Sequence, residues 1–209
     1  MIKNKEQRVG IFVDVSNLYY SARHYGARVN FESLLKAATS GRKLVRAIAY
    51  VVKANNPDED TFFEALDKMG FEVREKELQI FAGGRKKADW DVGIAMDMIK
   101  MSGHLDVLIL VSGDGDYIPV VDYLQNHGNL VEVIAFGEGT SSRLVGQADD
   151  FLDLGKAKGK FLMKGGSRGR ARSSKSRSRT PRKTSARTRK TSTTTRIEPP
   201  PIPEPPGLD

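Results

Sequence analysis

Five consecutive apolar residues, Val107–Val111, run directly into Ser112-Gly113-Asp114-Gly115-Asp116-Tyr117, and this junction constrains the fold more than any other stretch of the chain. The run has strand length and is rich in β-branched residues, so it reads as a buried strand. It stops abruptly at small and acidic residues. Asp114 and Asp116, two apart with glycine between them, are therefore delivered to the point where the chain leaves the sheet. In open α/β sheets that carboxyl edge is where ligands bind.

The remainder of the chain repeats the pattern. Residues 9–15 form an apolar run that carries Asp14 at its end, followed by Ser16 and Asn17. Helices are expected over 18–25 and over 31–38, the second capped by Asn30 and ended by Gly41. A strand is expected over 44–52, then a turn at 55–60, a helix over 61–69, and a strand over 71–78 whose charged alternation suits an exposed edge. Residues 80–81 extend that strand or begin a loop, and 83–87 form a short basic loop. Asp89 is placed to cap a helix over 90–101, which has an apolar face. Beyond the central strand the pattern predicts a helix over 118–126, a strand over 130–136, an exit loop at 137–139, a helix over 141–148 and a short strand over 151–154. Strands alternate with helices, which predicts a three-layer α/β fold with a mainly parallel central sheet.

Charge divides the chain. Residues 1–155 hold 18 Lys+Arg against 23 Asp+Glu, net −5, whereas residues 156–209 hold 16 against 3, net +13. The expected organisation is a folded domain over 1–155, a disordered Arg/Lys/Ser/Thr-rich tail over 156–196 and a proline-rich end over 197–209. The tail has too few apolar residues to offset the entropy of ordering. There is no cysteine, which excludes a disulfide frame, a zinc–thiolate site and a thiol nucleophile. Residues 1–8 are polar, without the apolar stretch of a signal peptide, and no segment approaches membrane-spanning length, so a soluble cytoplasmic protein is expected.

The acids carry the chemistry. If the strands ending at Asp14 and before Asp114 are neighbours, they lie about 5 Å apart and their carboxylates can share one or two divalent ions. Asp91, in the first turn of its helix, is the fourth member. Carboxylates so crowded raise one another's pKa unless a cation neutralises them, and oxygen-only ligands select Mg²⁺ or Mn²⁺. Such a site suits phosphodiester hydrolysis by water, with no side-chain nucleophile. Taken singly, each acid has a simpler role: Asp114 and Asp116 as turn and cap, Asp14 as a turn residue, Asp89 as an N-cap.

Three motifs, in this order, resemble those of the NYN domain in its LabA-like branch, a member of the PIN-like nucleases. They are Phe12-Val13-Asp14-Val15-Ser16-Asn17-Leu18, Lys87-Ala88-Asp89-Trp90-Asp91-Val92 with Asp97 beyond it, and Ser112-Gly113-Asp114-Gly115-Asp116-Tyr117. The resemblance covers residues 8–155 and implies a PIN-like, Rossmannoid sheet with a metal-dependent ribonuclease site. It puts Asp14, Asp91, Asp114 and Asp116 at the metal positions, with Asp89 as the alternative to Asp91, and makes Asn17 and Ser112 orienting residues. Asp97 matches a recurrent acid but falls about 120° around the helix from Asp91, which places it behind the ligands.

RNA is the expected partner, and a homodimer and a protein docked on the proline-rich end are further expectations. RNA contacts are expected from Arg85, Lys86 and Lys87 and, in the tail, from Arg168, Arg170 and Arg172, acting as a salt-sensitive tether. Tyr19, Tyr20 and Tyr25 read first as packing and second as base-stacking residues. Trp90 reads as packing, and His24, His104 and His127 show no ligand spacing. The alternative function is a non-catalytic RNA-binding regulator. A phosphatase of small phosphoesters, which would not need the tail, is a third.

Overall fold

A computed structural model describes residues 3–54, 57–80, 86–87 and 89–164. β1 (Arg8–Asp14) leads into α1 (Val15–His24), β2 (Ala27–Val29) and α2 (Phe31–Thr39), and then β3 (Lys43–Lys53), α3 (Pro57–Lys68) and β4 (Glu72–Glu77) follow. Two short strands, β5 (Gln79–Ile80) and β6 (Lys86–Lys87), precede α4 (Asp91–Ser102) and β7 (Val107–Val111). The chain continues through α5 (Ile118–Asn126), β8 (Leu130–Ala135), α6 (Ser142–Gln147), β9 (Asp150–Asp153), α7 (Lys158–Phe161) and β10 (Leu162–Lys164).

The central sheet has the order β4-β3-β1-β7-β8-β9, and every pair in it is parallel. Side-chain alternation along β1 builds a core on each face. Val9, Ile11 and Val13 pack with α1, α2 and α3. Phe12 points the other way, to Ile94 and Met98 of α4, Val121 and Leu124 of α5, and Leu144 of α6. β1 and β7, the first and fourth strands of the sheet in chain order, are neighbours, and the order of connection reverses between them. At such a switch point the loops leave in opposite directions and open a crevice.

Most boundaries match the sequence reading within a residue or two; the exceptions have local causes. The first strand stops at Asp14 and α1 begins at once, because the Asp14 side chain accepts the Asn17 N–H at 3.0 Å and caps the helix. Asn30 caps α2 as expected, by accepting the Ser33 N–H. α3 begins at Pro57 instead of residue 61; proline's fixed φ and missing N–H suit a first helical position. Asp89 is not the cap of α4: the helix starts at Asp91, and Trp90 precedes it without a side-chain cap. Lys86 and Lys87 are not loop residues but an antiparallel ladder with Gln79 and Ile80, while Arg85 lies outside the described residues.

The folded unit also runs further than composition suggests, through β10 to Lys164. β10 pairs antiparallel with β2, and Phe161 is buried against the α2 side of the core. The basic tail and proline-rich end, including Arg168, Arg170 and Arg172, lie outside the described residues. Among the described residues no helix is long and apolar enough to cross a membrane.

Candidate active site

Each acid reaches the carboxyl edge of the sheet by a separate device. Asp14 ends β1 and is nearly buried. Burial is the main reason its carboxyl is pushed up to about 6; the Asn17 amide opposes the rise, and the charges of Asp91 and Asp114 add to it. Asp91 opens α4, where the positive end of the helix dipole favours an acid. Its Oδ1 accepts the Tyr117 hydroxyl at 3.0 Å. The Asp91 pKa is raised, first by partial burial and then by Asp114, Asp89 and Asp116, against the lowering effect of the Tyr117 bond. Tyr117 is itself buried, and its hydroxyl is held protonated by burial and by the neighbouring carboxylates.

Asp114 and Asp116 follow β7 in a tight polar turn. Asp114 Oδ1 accepts the Asp116 N–H at 3.0 Å, and the buried Ser112 hydroxyl accepts the Asp114 N–H at 3.3 Å. Asn17 fastens the two strand exits together, since its Oδ1 accepts the Gly113 N–H at 3.0 Å. Only glycine fits at position 113, where a Cβ would lie 2.8 Å from Thr140 Oγ1 and 3.1 Å from Thr140 Cα.

Three of the four expected ligands meet. Carboxylate oxygens of Asp91, Asp114 and Asp116 lie within 4.8 Å of one another. Asp14 is not part of that triad, but with Asn17, Asp89, Trp90, Asp91 and Asp114 it lines one cleft of about 180 Å³. An all-oxygen set of three converging carboxylates fits a hard divalent cation in donor type and charge.

Asp89 and Asp97 differ from one another. Asp89 lines the cleft, and its carbonyl accepts Lys76 Nζ at 2.7 Å. Asp97 is outside the cleft lining: it accepts the Tyr50 hydroxyl at 2.9 Å and pairs with Arg74, so it ties α4 to β3 and β4. The sequence reading did not single out Tyr117 or Lys76, and a lone tyrosine after an acid carries no local signal of the bond it makes to another helix. Trp90 does pack: its Nε1 donates to the Val51 carbonyl at 2.8 Å, its ring meets Tyr50 edge-on, and Lys76 Nζ sits 5.5 Å from it. This clamp fixes the backbone next to Asp91. Tyr25 packs on Phe136, whereas Tyr19 and Tyr20 are exposed. Among the described residues, no histidine joins the acidic group.

Comparison with known proteins agrees with this geometry. The family model described as the NYN domain matches residues 8–155. The chain is 27% identical over 158 residues to the Low amplitude and bright protein LabA of Synechococcus elongatus, covering 72% of this chain and 85% of that one. A crystal structure of a protein of unknown function from Vibrio parahaemolyticus superposes with a TM-score of 0.70 at 34% identity, covering 78% of this chain and all of the other. With the model spanning most of the chain and the acids gathered at the strand exits, the protein belongs to the NYN domain family of PIN-like nucleases and is LabA-like within it.

Proposed function

We propose that the domain is a divalent-metal-dependent ribonuclease that hydrolyses RNA phosphodiester bonds in the cleft between the exits of β1 and β7. The observation that carries this reading is the convergence of Asp91, Asp114 and Asp116 within 4.8 Å, beside Asp14 in the same cleft. Asp91, Asp114 and Asp116 would hold a Mg²⁺ or Mn²⁺ ion, which supplies the Lewis acidity for attack on a phosphodiester.

The chain's own groups do the rest. Asp14, with its carboxyl near 6, is poised to take a proton from the attacking water close to neutral pH. The bond from the Asn17 amide to its Oδ1 fixes the orientation of the carboxylate. Asn17 and Ser112 hold the Gly113–Asp114 backbone in register with β1, and Tyr117 orients Asp91. The segment beyond β10, net +9 over 165–209, would tether RNA to a folded unit whose own net charge of −1 over 1–164 gives phosphate no general attraction.

The test is cleavage of a mixed pool of single-stranded and structured RNAs by the full chain with Mn²⁺ or with EDTA, beside Asp14→Asn and Asp114→Asn. Metal-dependent cutting abolished by both substitutions is the expected result. A pool bound but left intact under every metal condition would refute catalysis and make the protein an RNA-binding regulator.

A further inference from the structure

The outer surface of α1 carries a pair of aromatic side chains that the core does not use. Tyr19 and Tyr20 are 53% and 50% exposed, with ring centroids 5.7 Å apart and edge to face. Asp14 caps the helix, and Ser16, on the cleft wall, lies one turn before Tyr19 and Tyr20 and two before Arg23, so these residues share one face of the helix. At 1.5 Å per residue, the rise from Ser16 to Arg23 is on the order of 10 Å. The end of α1 remains near the carboxyl edge of the sheet. Tyr25, its C-cap, packs on Phe136, and its hydroxyl donates to Glu138 at 2.7 Å in the exit loop of β8.

Cations gather where α1 ends. Arg23 and Arg28 are exposed, and Lys158 Nζ lies 4.1 Å from the Tyr25 ring centroid. Lys160 is exposed two residues further on, and the ladder of β10 with β2 holds this segment in place by pairing Met163 with Arg28. Among the described residues none of these four cations forms an ion pair. The acids nearby are engaged: Glu138 accepts from Tyr25, and Asp153 accepts the Gly137 and Gly155 amides. Exposed rings on α1 and positive charge from α1, β2 and α7 thus lie together on a surface that begins at the cleft wall. Beyond β10 the chain continues into its Arg-rich segment.

We propose that this surface is a track for single-stranded RNA leading into the cleft, on which Tyr19 and Tyr20 stack with unpaired bases and Arg23, Arg28, Lys158 and Lys160 hold the phosphates. Exposed rings beside a group of cations suit the bases and phosphates of a single strand, and stacking on the tyrosines needs bases released from pairing. The proposal rests on RNA being the substrate of the cleft and specifies its strandedness and direction of approach.

The test uses the full-length Asp114→Asn protein, to separate binding from cleavage, with a short end-labelled single-stranded RNA and a blunt duplex of equal length in a salt series. Tyr19→Ala/Tyr20→Ala should weaken single-strand binding on the order of tenfold, leave duplex binding and the salt slope unchanged, and be restored by Tyr19→Phe/Tyr20→Phe. Lys158→Ala/Lys160→Ala should make the slope of log K against log salt shallower by about 1.4, which is about 0.7 for each phosphate no longer neutralised. Equal melting temperatures confirm that the exposed substitutions leave the fold intact. Unchanged single-strand affinity in both variants would overturn the track, and equal losses on the duplex would overturn stacking. Binding losses in a protein that cuts nothing would refute the nuclease reading alone; metal-dependent cutting with unaltered affinities would refute the track alone.

Discussion

Replacing Asp14 by Asn should stabilise the metal-free domain while abolishing cleavage. In the unfolded chain this carboxyl titrates at an ordinary 3.8; in the folded domain it is pushed up to about 6, chiefly by burial. The native state therefore holds the proton more tightly than the unfolded state does. Stability linked to this group is fully present below pH 3.8 and is lost as the pH rises through about 6. Above that pH the cost is complete, and a separation of about two pH units corresponds to about 3 kcal/mol. Asparagine is never charged and caps a helix as well as aspartate, so the bond from the Asn17 amide survives the substitution.

Urea denaturation in EDTA measures the effect. At about pH 7.5 the Asp14→Asn protein should gain up to about 3 kcal/mol over the wild type, a midpoint shift of about 1.5 M for a slope of roughly 2 kcal/mol/M. At about pH 3.5 the two proteins should coincide. Added Mn²⁺ should narrow the gap above neutrality, because the ion offsets the charge that the wild type carries. A variant less stable than wild type above neutrality, or a difference independent of pH, would refute the reasoning that the site is a desolvated, charge-strained cluster.

Other parts of the fold make separate predictions. Arg42 and Glu132 form a bidentate pair at 2.7 and 2.9 Å with side chains 0% and 4% exposed, so Glu132→Ala should cost about 3–5 kcal/mol in urea, and Arg42→Met/Glu132→Leu should recover most of it. A loss below about 1 kcal/mol would contradict the burial. A chain ending at Gly155 should lose about 3–5 kcal/mol, because it removes the buried Phe161, whereas one ending at Gly165 should melt like the full chain. Gly113→Ala drives a methyl into Thr140 and should destabilise by about 1–3 kcal/mol. It should also lower kcat more than it weakens RNA binding, since it disturbs the backbone that carries Asp114.

Much of this protein is legible in its sequence because the relevant physics is local. The apolar run Val107–Val111 and its abrupt acidic end announce a strand that terminates at a polar edge, and the structure has that strand at those residues. Asn30 reads as a cap and acts as one. The short spacing of Ser112, Asp114 and Asp116 already implies a turn closed by its own side chains. Charge segregation marks a tail, although the boundary falls too early, because composition averages over Phe161 and the short ladder around it. That ladder's partner, β2, lies far away in the chain, near its beginning.

What depends on distant segments only the tertiary structure decided. Asp89 is a good cap by propensity, yet the helix begins at Asp91, where Trp90 is held by the Val51 carbonyl and Tyr50 from β3. Asp97 lies on the same helix as Asp91, but Arg74 and Tyr50 on neighbouring strands claim it, and Tyr117 claims Asp91. The adjacency of β1 and β7, which makes one cleft of separate motifs, comes from burying the apolar faces of all six strands and their helices at once. Local sequence sets what a segment can form and which atoms it offers. Which of those atoms meet is decided by the packing of the whole core, because apolar burial acts without direction or regard to distance along the chain.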